Sequence, residues 1–158
     1  MSRTRRVATA SEAETRALAA RLAPHLGAGS LIGLTGDLGA GKTVFVQGLA
    51  AGLPGGERVR VRSPSYVIVE EHPTEPRLVH ADLYRLAGGA AELEGIGFEE
   101  IVEAVDAIVA VEWFERAGEL ALPPALRVEL AIGEGDRREL TLTAEDARYH
   151  DALAAAAG

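Results

Sequence analysis

The pattern of apolar and polar positions predicts a series of β-strands separated by helical segments. Residues 107–111 are a wholly apolar run, which is typical of a central parallel strand that is buried on both faces. Residues 31–35 form a second apolar stretch, and residues 78–84 are predicted to form a further strand. Because side chains alternate between the two faces of a strand, the last segment places three polar residues on one face: His80, Asp82 and Tyr84.

Helical spacing and capping signals predict helices around these strands. Ser11 begins a helix, because Glu14 follows three residues later and completes a capping box. Residues 44–53 are predicted to form a second helix and residues 98–104 a third. Thr143 and Asp146 repeat the capping pattern before a C-terminal helix.

Shorter alternating segments predict strands towards the edges of the sheet. Residues 127–132 and 137–143 alternate across a glycine-containing turn and predict a hairpin. Residues 58–62 and 67–71 predict two further strands, and residues 7–9 a short edge strand. The expected fold class is therefore α/β, with a sheet that is parallel at its centre and antiparallel at its edges, flanked by helices. A length of 158 residues without internal repeats predicts a single domain over residues 1–158.

The strand predicted over residues 31–35 and the helix predicted over residues 44–53 flank a glycine-rich turn with a phosphate-binding pattern. Residues 36–43, Gly-Asp-Leu-Gly-Ala-Gly-Lys-Thr, fit G-x-x-x-x-G-K-[ST] in full. The glycines let backbone N–H groups turn towards a phosphate, and the helix N-terminus adds partial positive charge. Lys42 can reach the β- and γ-phosphate oxygens, and the Thr43 hydroxyl can ligate Mg²⁺. Lys42 is the only lysine beside fifteen arginines, which argues against a chance glycine-rich turn.

Two carboxylates follow apolar strands and are candidates for the chemistry beyond this loop. Glu112 follows residues 107–111 and is predicted to hold Mg²⁺, directly or through water. Asp82 is predicted to orient or deprotonate the attacking water, or to ligate Mg²⁺ as well. The alternative for both is a strand-end acid that caps a neighbouring turn. Trp113, the only tryptophan, either covers a bound nucleotide or belongs to the core or an interface.

Composition limits the classes of function. A net charge of −8 disfavours general binding to a nucleic-acid backbone, and the absence of cysteine excludes disulfides and thiolate metal sites. The basic start is followed by no apolar signal region, and no apolar run has membrane-spanning length, so we expect a cytoplasmic protein with no membrane partner. His25, His72 and His150 are predicted to be surface residues, and His80 differs from them by position only.

Four segments together resemble one known family. They are residues 36–43, residues 63–66 (Ser-Pro-Ser-Tyr), residues 80–85 (His-Ala-Asp-Leu-Tyr-Arg) and residues 111–119 (Val-Glu-Trp-Phe-Glu-Arg-Ala-Gly-Glu). In this order they resemble the TsaE (YjeE) family, the small ATPases of bacterial tRNA threonylcarbamoyladenosine biosynthesis. The first segment is generic among phosphate-binding loops, whereas the last two are specific.

The resemblance implies a P-loop NTPase-like fold, ATP or ADP with Mg²⁺ as cofactors, and weak ATPase activity of the protein alone. It implies a role in a complex with a TsaB–TsaD pair, with tRNA reached only through that complex. Thr43 and Glu112 are then expected at Mg²⁺, and Asp82 and Lys42 in hydrolysis. The nucleotide is expected to contact the loop at Leu38, Gly39, Ala40, Gly41, Lys42 and Thr43. In the family the start of the first helix and the late hairpin lie near the base, which implies base contacts at Glu12 and Arg138.

Three other functions compete with this interpretation. A GTPase needs an asparagine for guanine specificity, and the chain contains none. A small-molecule or nucleotide kinase shares the loop and the strand-end acids, but no segment is a good candidate for an arginine-bearing lid. A nucleotide-dependent scaffold that does not hydrolyse its nucleotide stays open.

Overall fold

A computed structural model describes residues 2–61, 69–86, 90–118 and 120–156. The Ser-Pro-Ser-Tyr segment at residues 63–66, the first part of the strand predicted over residues 67–71, and the last residue of the 111–119 segment lie outside the described residues.

The described residues form one mixed sheet. Its strands are β1 (Arg3–Thr9), β2 (Leu31–Gly36), β3 (Val69–His72), β4 (Arg77–Asp82), β5 (Ala107–Glu112), β6 (Leu126–Ile132) and β7 (Arg138–Ala144). Their order across the sheet is β1-β7-β6-β2-β5-β4-β3. The four central strands β6, β2, β5 and β4 are parallel, whereas β7 and β1 at one edge and β3 at the other pair antiparallel. The predicted fold class is therefore confirmed.

Helices cover both faces of this sheet. In the described part of the chain they are α1 (Glu12–Leu22), α2 (Lys42–Ala51), α3 (Ala90–Gly95), α4 (Phe98–Val102) and α5 (His150–Ala155). The predicted capping box of α1 is confirmed, because Ser11 Oγ accepts a hydrogen bond from Glu14 N at 3.2 Å. The Glu14 carboxylate reaches back to accept one from Ala10 N at 3.0 Å. No helix of the described residues is long and apolar enough to cross a membrane.

Alternate residues of the central strands supply two separate cores. Ile32 and Ile108 face the side covered by α1, α2 and α5, where Phe45 of α2 is fully buried. Leu31 and Val109 face the opposite side, where α3, α4 and the short 3₁₀ helix Phe114–Ala117 pack. Burial on both faces explains why β5 is apolar over residues 107–111, up to Glu112 at its end. Because β6, β2, β5 and β4 are parallel, their carboxyl ends lie at the same end of the sheet, beside the start of α2.

One predicted strand and one predicted helix cap are wrong. Residues 58–61 form no strand: Gly56–Arg58 is a 3₁₀ helix, and Val61 is buried in the core without a neighbouring strand to pair with among the described residues. The alternation there reflects alternate burial alone. Thr143 does not cap the C-terminal helix, because β7 runs on to Ala144; Asp146 instead caps the next turn by accepting from Arg148 N at 2.8 Å.

Candidate functional site

The glycine-rich loop connects β2 to α2 with the backbone geometry that its sequence predicts. Gly41 is the residue before the first turn of α2 and has φ +107°, a conformation that side chains other than glycine rarely adopt. Gly36 has φ +150°, and a Cβ there would lie 2.6 Å from the carbonyl oxygen of Leu130. The loop therefore passes too close to β6 for a side chain at Gly36. The N-terminal turn of α2 opens at the carboxyl ends of the parallel strands.

Lys42 lies across the mouth of this loop and is only 4% exposed. Its Nζ donates hydrogen bonds to the carbonyl oxygens of Gly36 at 2.5 Å and Asp37 at 3.0 Å, and lies 4.2 Å from the centroid of the Trp113 ring. Burial lowers the pKa of the Lys42 ammonium, and nearby carboxylates, above all that of Glu112, oppose this by raising it. The ammonium is thus held in a largely desolvated position among acids and the indole ring.

Glu112, at the end of β5, connects the loop to β4. Glu112 is 3% exposed, and its carboxylate accepts a hydrogen bond from Thr43 Oγ1, with distances of 3.0 Å to Oε1 and 2.9 Å to Oε2. His80 Nε2 lies 2.5 Å from Glu112 Oε2, and His80 is fully buried. The parallel register of β4 and β5, in which His80 lies opposite Ala110, brings the imidazole next to the strand end. Glu112 is therefore held from both sides.

Asp82 lies beside Glu112, because these two residues are opposite each other in the β4–β5 register. It is 8% exposed, and its Oδ1 accepts a hydrogen bond from Tyr84 N at 2.9 Å. This bond is the turn cap that the alternative interpretation of Asp82 expected, although Asp82 also lines the cleft described below. The strand predicted over residues 78–84 ends at Asp82, and Tyr84 lies in the turn after it instead of on the same strand face as His80 and Asp82.

Trp113, Tyr84 and Arg116 pack together beside the Lys42 ammonium. Trp113 has φ +56°, a strained left-handed backbone for a bulky residue, directly after β5. Its ring centroid is 5.0 Å from that of Tyr84, and the Arg116 guanidinium lies 5.3 Å from the Trp113 ring. Arg116 also donates to the carbonyl oxygen of Leu86 at 2.8 Å. These contacts hold the indole over Lys42, and the half-buried Trp113 side chain also packs against the core on the side of the sheet that α3 and α4 cover.

A cleft of about 270 Å³ lies between these groups. Its lining includes most of the residues that the sequence proposed for nucleotide and metal: Glu12, Leu38, Gly39, Gly41, Lys42, Thr43, Asp82 and Glu112. Ala40 is fully buried instead. Arg138 supports the loop from β7, because its guanidinium donates to the carbonyl oxygens of Ala40 at 3.2 Å and Gly39 at 3.3 Å.

The burial of His72 on β3 and the contact made by His80 on β4 are not predicted by the sequence. His72 was predicted at the surface but is only 7% exposed, and burial lowers the pKa of its imidazole. His80 contacts Glu112, a contact between residues 32 positions apart that no local pattern predicts. The register of the antiparallel β3–β4 pair, which places Glu70 opposite His80, is likewise known only from the structure.

The sheet order, the loop between β2 and α2, and the acids at the strand ends define a mixed α/β protein with a P-loop NTPase-like sheet. Comparison with known proteins identifies the group within this class. The family model described as "Threonylcarbamoyl adenosine biosynthesis protein TsaE" matches residues 9–140, and the chain belongs to the TsaE family.

Curated relatives and one solved structure agree with this assignment. The tRNA threonylcarbamoyladenosine biosynthesis protein TsaE of Streptomyces coelicolor is 41% identical over 137 residues, covering 85% of this chain and 86% of the relative. The protein of the same name from Bacillus subtilis is 35% identical over 142 residues, covering 89% and 86%. The crystal structure of Bacillus subtilis YdiB superposes with a TM-score of 0.77 at 29% identity and covers 99% of this chain and 96% of that one.

Proposed function

We propose that this protein is the ATP-binding and ATP-hydrolysing subunit of a complex that carries out threonylcarbamoyladenosine modification of tRNA. The observation that carries the proposal is the convergence of Lys42, Thr43, Glu112 and Asp82 on one cleft at the start of α2. Membership of the TsaE family supports the place in tRNA modification.

Lys42 and the loop would hold the phosphates. The Lys42 ammonium is already at the loop mouth and bonded to two loop carbonyls, so phosphate oxygens would take over those hydrogen bonds. Backbone N–H groups at the start of α2 and the partial positive charge of the helix favour an anion at the same point. Arg138 keeps the loop in shape by binding its carbonyls, and Glu12 and Leu38 border the same cleft, where a nucleoside would lie.

Thr43 and Glu112 fit a Mg²⁺ ion. Mg²⁺ prefers oxygen ligands, and the Thr43 hydroxyl and both Glu112 carboxylate oxygens lie within 3.0 Å of each other at the cleft. When bound there, the ion supplies neutralisation of charge on the β- and γ-phosphate oxygens. His80 would keep the Glu112 carboxylate oriented towards Thr43 through its bond to Oε2.

Asp82 would act on the attacking water. Its Oδ1 is oriented by Tyr84 N, and its carboxylate faces the cleft beside Glu112. A carboxylate in this position can accept a hydrogen bond from water and direct its lone pair towards a phosphate. Trp113 closes one side of the cleft and would limit access of bulk water to the phosphates.

The test measures ATP binding, ATP turnover and tRNA modification by this protein with and without TsaB and TsaD proteins. We expect the partners to stimulate weak turnover, and Lys42→Ala and Glu112→Gln to abolish it. Asp82→Asn should abolish turnover while nucleotide affinity stays within about threefold, because Asp82 acts on water. Asp151→Asn, which changes an exposed acid on α5, is the matched control.

Different outcomes would separate the competing functions. If ATP binds but Lys42→Ala and Glu112→Gln leave tRNA modification intact, the protein is a nucleotide-dependent scaffold. If the partners change neither activity and phosphate is transferred to a small acceptor, the protein is a kinase. Loss of nucleotide binding in Asp82→Asn would make Asp82 a main metal ligand or a structural residue.

A further inference from the structure

A second group of ligand-forming side chains lies beside the cleft, on strands β3 and β4. Glu70 is opposite His80 in the antiparallel register, and His72 is opposite Leu78, so Glu70, His72 and His80 share one face of the sheet. The carboxylate and imidazole ligand atoms of these three residues all lie within 4.8 Å of one another. They come from two adjacent strands, whose paired backbones fix their relative positions.

One polar atom of each residue is buried and lacks a hydrogen-bond partner. Within the described ranges, Glu70 Oε2, His72 Nε2 and His80 Nδ1 accept and donate no hydrogen bond. Buried polar atoms are normally paired, since burial removes their hydrogen bonds to water. Each of the three clustered residues therefore has an unpaired buried atom, which indicates a ligand that all three residues can bind.

The second nitrogen of His80 determines which ligand this is. His80 Nε2 lies 2.5 Å from Glu112 Oε2, and because a carboxylate accepts, Nε2 is the donor. A neutral imidazole that donates through Nε2 carries a lone pair on Nδ1, the unpaired atom. Histidines that bind metal ions commonly donate their other N–H to a carboxylate, which fixes the tautomer and increases the basicity of the ligand nitrogen.

We infer that Glu70, His72 and His80 form a binding site for a divalent transition-metal ion, with Zn²⁺ as the ion that this ligand set suits. Two imidazoles and one carboxylate form a ligand set typical of Zn²⁺, whereas Mg²⁺ prefers oxygen ligands throughout. Ligand bonds of about 2.0–2.2 Å in a tetrahedral site place ligand atoms about 3.4 Å apart, so movements of about 1 Å bring the three atoms into place. Glu70 is half-buried on the edge strand β3, which gives an ion a path from solvent.

The site is separate from the place proposed for Mg²⁺ but shares a connection with it. Glu112 contacts Thr43 on one side and His80 on the other. An ion bound at His80 Nδ1 would therefore restrict the imidazole that holds Glu112. Binding of the transition metal is nevertheless a property of β3 and β4, and it can be measured without nucleotide.

The test is metal binding to the full-length, metal-free protein in excess Mg²⁺. We expect one Zn²⁺ per chain by calorimetry, a visible absorption spectrum of tetrahedral Co²⁺ that Zn²⁺ displaces, and a rise in the melting temperature on addition of Zn²⁺. Glu70→Gln and His72→Ala should each weaken Zn²⁺ binding by at least about tenfold. His25→Ala removes an exposed histidine and is the matched control, and Thr43→Ala tests whether the ion enters the P-loop instead.

Two results would overturn the proposal. One is the absence of Zn²⁺ binding by the unmodified protein in excess Mg²⁺. The other is equal binding by the unmodified protein, Glu70→Gln and His72→Ala, whether or not Thr43→Ala loses it. Circular dichroism of each metal-free variant reports whether it folds, and the nearly isosteric Glu70→Gln decides the question if His72→Ala does not fold. These results are independent of whether the protein hydrolyses ATP.

Discussion

Gly33 in the central strand β2 is a position where one methyl group tests how the fold supports the site. A Cβ at Gly33 would overlap the ring of Phe114, which is itself only 3% exposed. Gly33 cannot move away easily, because β2 is paired on both sides, with Val111 of β5 and Arg127 of β6 opposite it. In Gly33→Ala the ring of Phe114 therefore has to move, together with the 3₁₀ helix Phe114–Ala117.

The expected loss of stability follows from overpacking in a dense core. Inserting a methyl group into a well-packed position costs about 1–3 kcal/mol. For a domain of 158 residues, each kcal/mol lowers the melting temperature by about 2–4 °C, so Gly33→Ala should melt about 2–12 °C below the unmodified protein. Gly27→Ala is the matched control, because a Cβ at Gly27 would meet no atom within 4 Å.

The same change should be detectable at the functional site. Phe114 directly follows Trp113, so movement of the 3₁₀ helix shifts the indole relative to Lys42. Trp113 is the only tryptophan, and its fluorescence spectrum therefore reports this position without ambiguity. We expect a changed emission maximum in Gly33→Ala and none in Gly27→Ala.

Thermal unfolding followed by circular dichroism, with tryptophan emission recorded on the same samples, measures both effects. Combining Gly33→Ala with Phe114→Leu should recover part of the lost stability, because the smaller side chain removes the overlap. A Gly33→Ala protein that melts with the unmodified protein and has the same Trp113 emission would refute the reasoning.

Three further predictions concern single contacts of the site and the core. Lys42 is the only lysine, so protein labelled with ¹³C at lysine Cε should show one titrating signal, with a pKa below the ordinary lysine value. Glu112→Gln should lower that pKa further, because the Glu112 carboxylate raises it. A titration at the ordinary lysine pKa would contradict this. Arg138→Ala should weaken nucleotide binding by about tenfold, because two hydrogen bonds to loop carbonyls are lost; calorimetry with an unchanged dissociation constant would contradict this. Tyr149→Phe should lower the free energy of unfolding by about 1–3 kcal/mol, because Leu31 N loses its acceptor at 3.0 Å. Burial raises the pKa of Tyr149 above its ordinary value of 10.0 in the folded protein, so ionisation of the phenol favours the unfolded chain. The free energy of unfolding of the unmodified protein should therefore exceed that of Tyr149→Phe by less and less as the pH rises past that value. Denaturant titrations at increasing pH measure this difference.

Local patterns were sufficient to predict the loop and most of the elements around it. The apolar run of β5, the capping box of α1 and the glycine-rich loop before α2 each depend on residues within about ten positions of one another. Local propensity, side-chain period and turn geometry act over that range. The same reasoning failed at residues 58–61, where alternation was present but no strand lay alongside to pair with it among the described residues.

The neighbours of the strand-end acids could not be predicted in this way. Glu112 and Asp82 were identified as candidates because each follows an apolar segment, yet their contacts depend on β4 lying next to β5 in parallel register. His72 was predicted at the surface because it follows the strand predicted over residues 67–71 and no local pattern indicates that it is buried.

By itself, the sequence determined the phosphate-binding pattern, its only lysine, and a fold class with parallel strands at its centre. Only the tertiary structure decided that His80 meets Glu112 and that Glu70, His72 and His80 converge beside them. The physical reason is that a hydrophobic period states which face of a strand is buried, but carries no information about which strand lies next to it or in which register. Packing of the whole sheet decides both, and the resulting registers place His80 against Glu112 with Glu70 and His72 beside it.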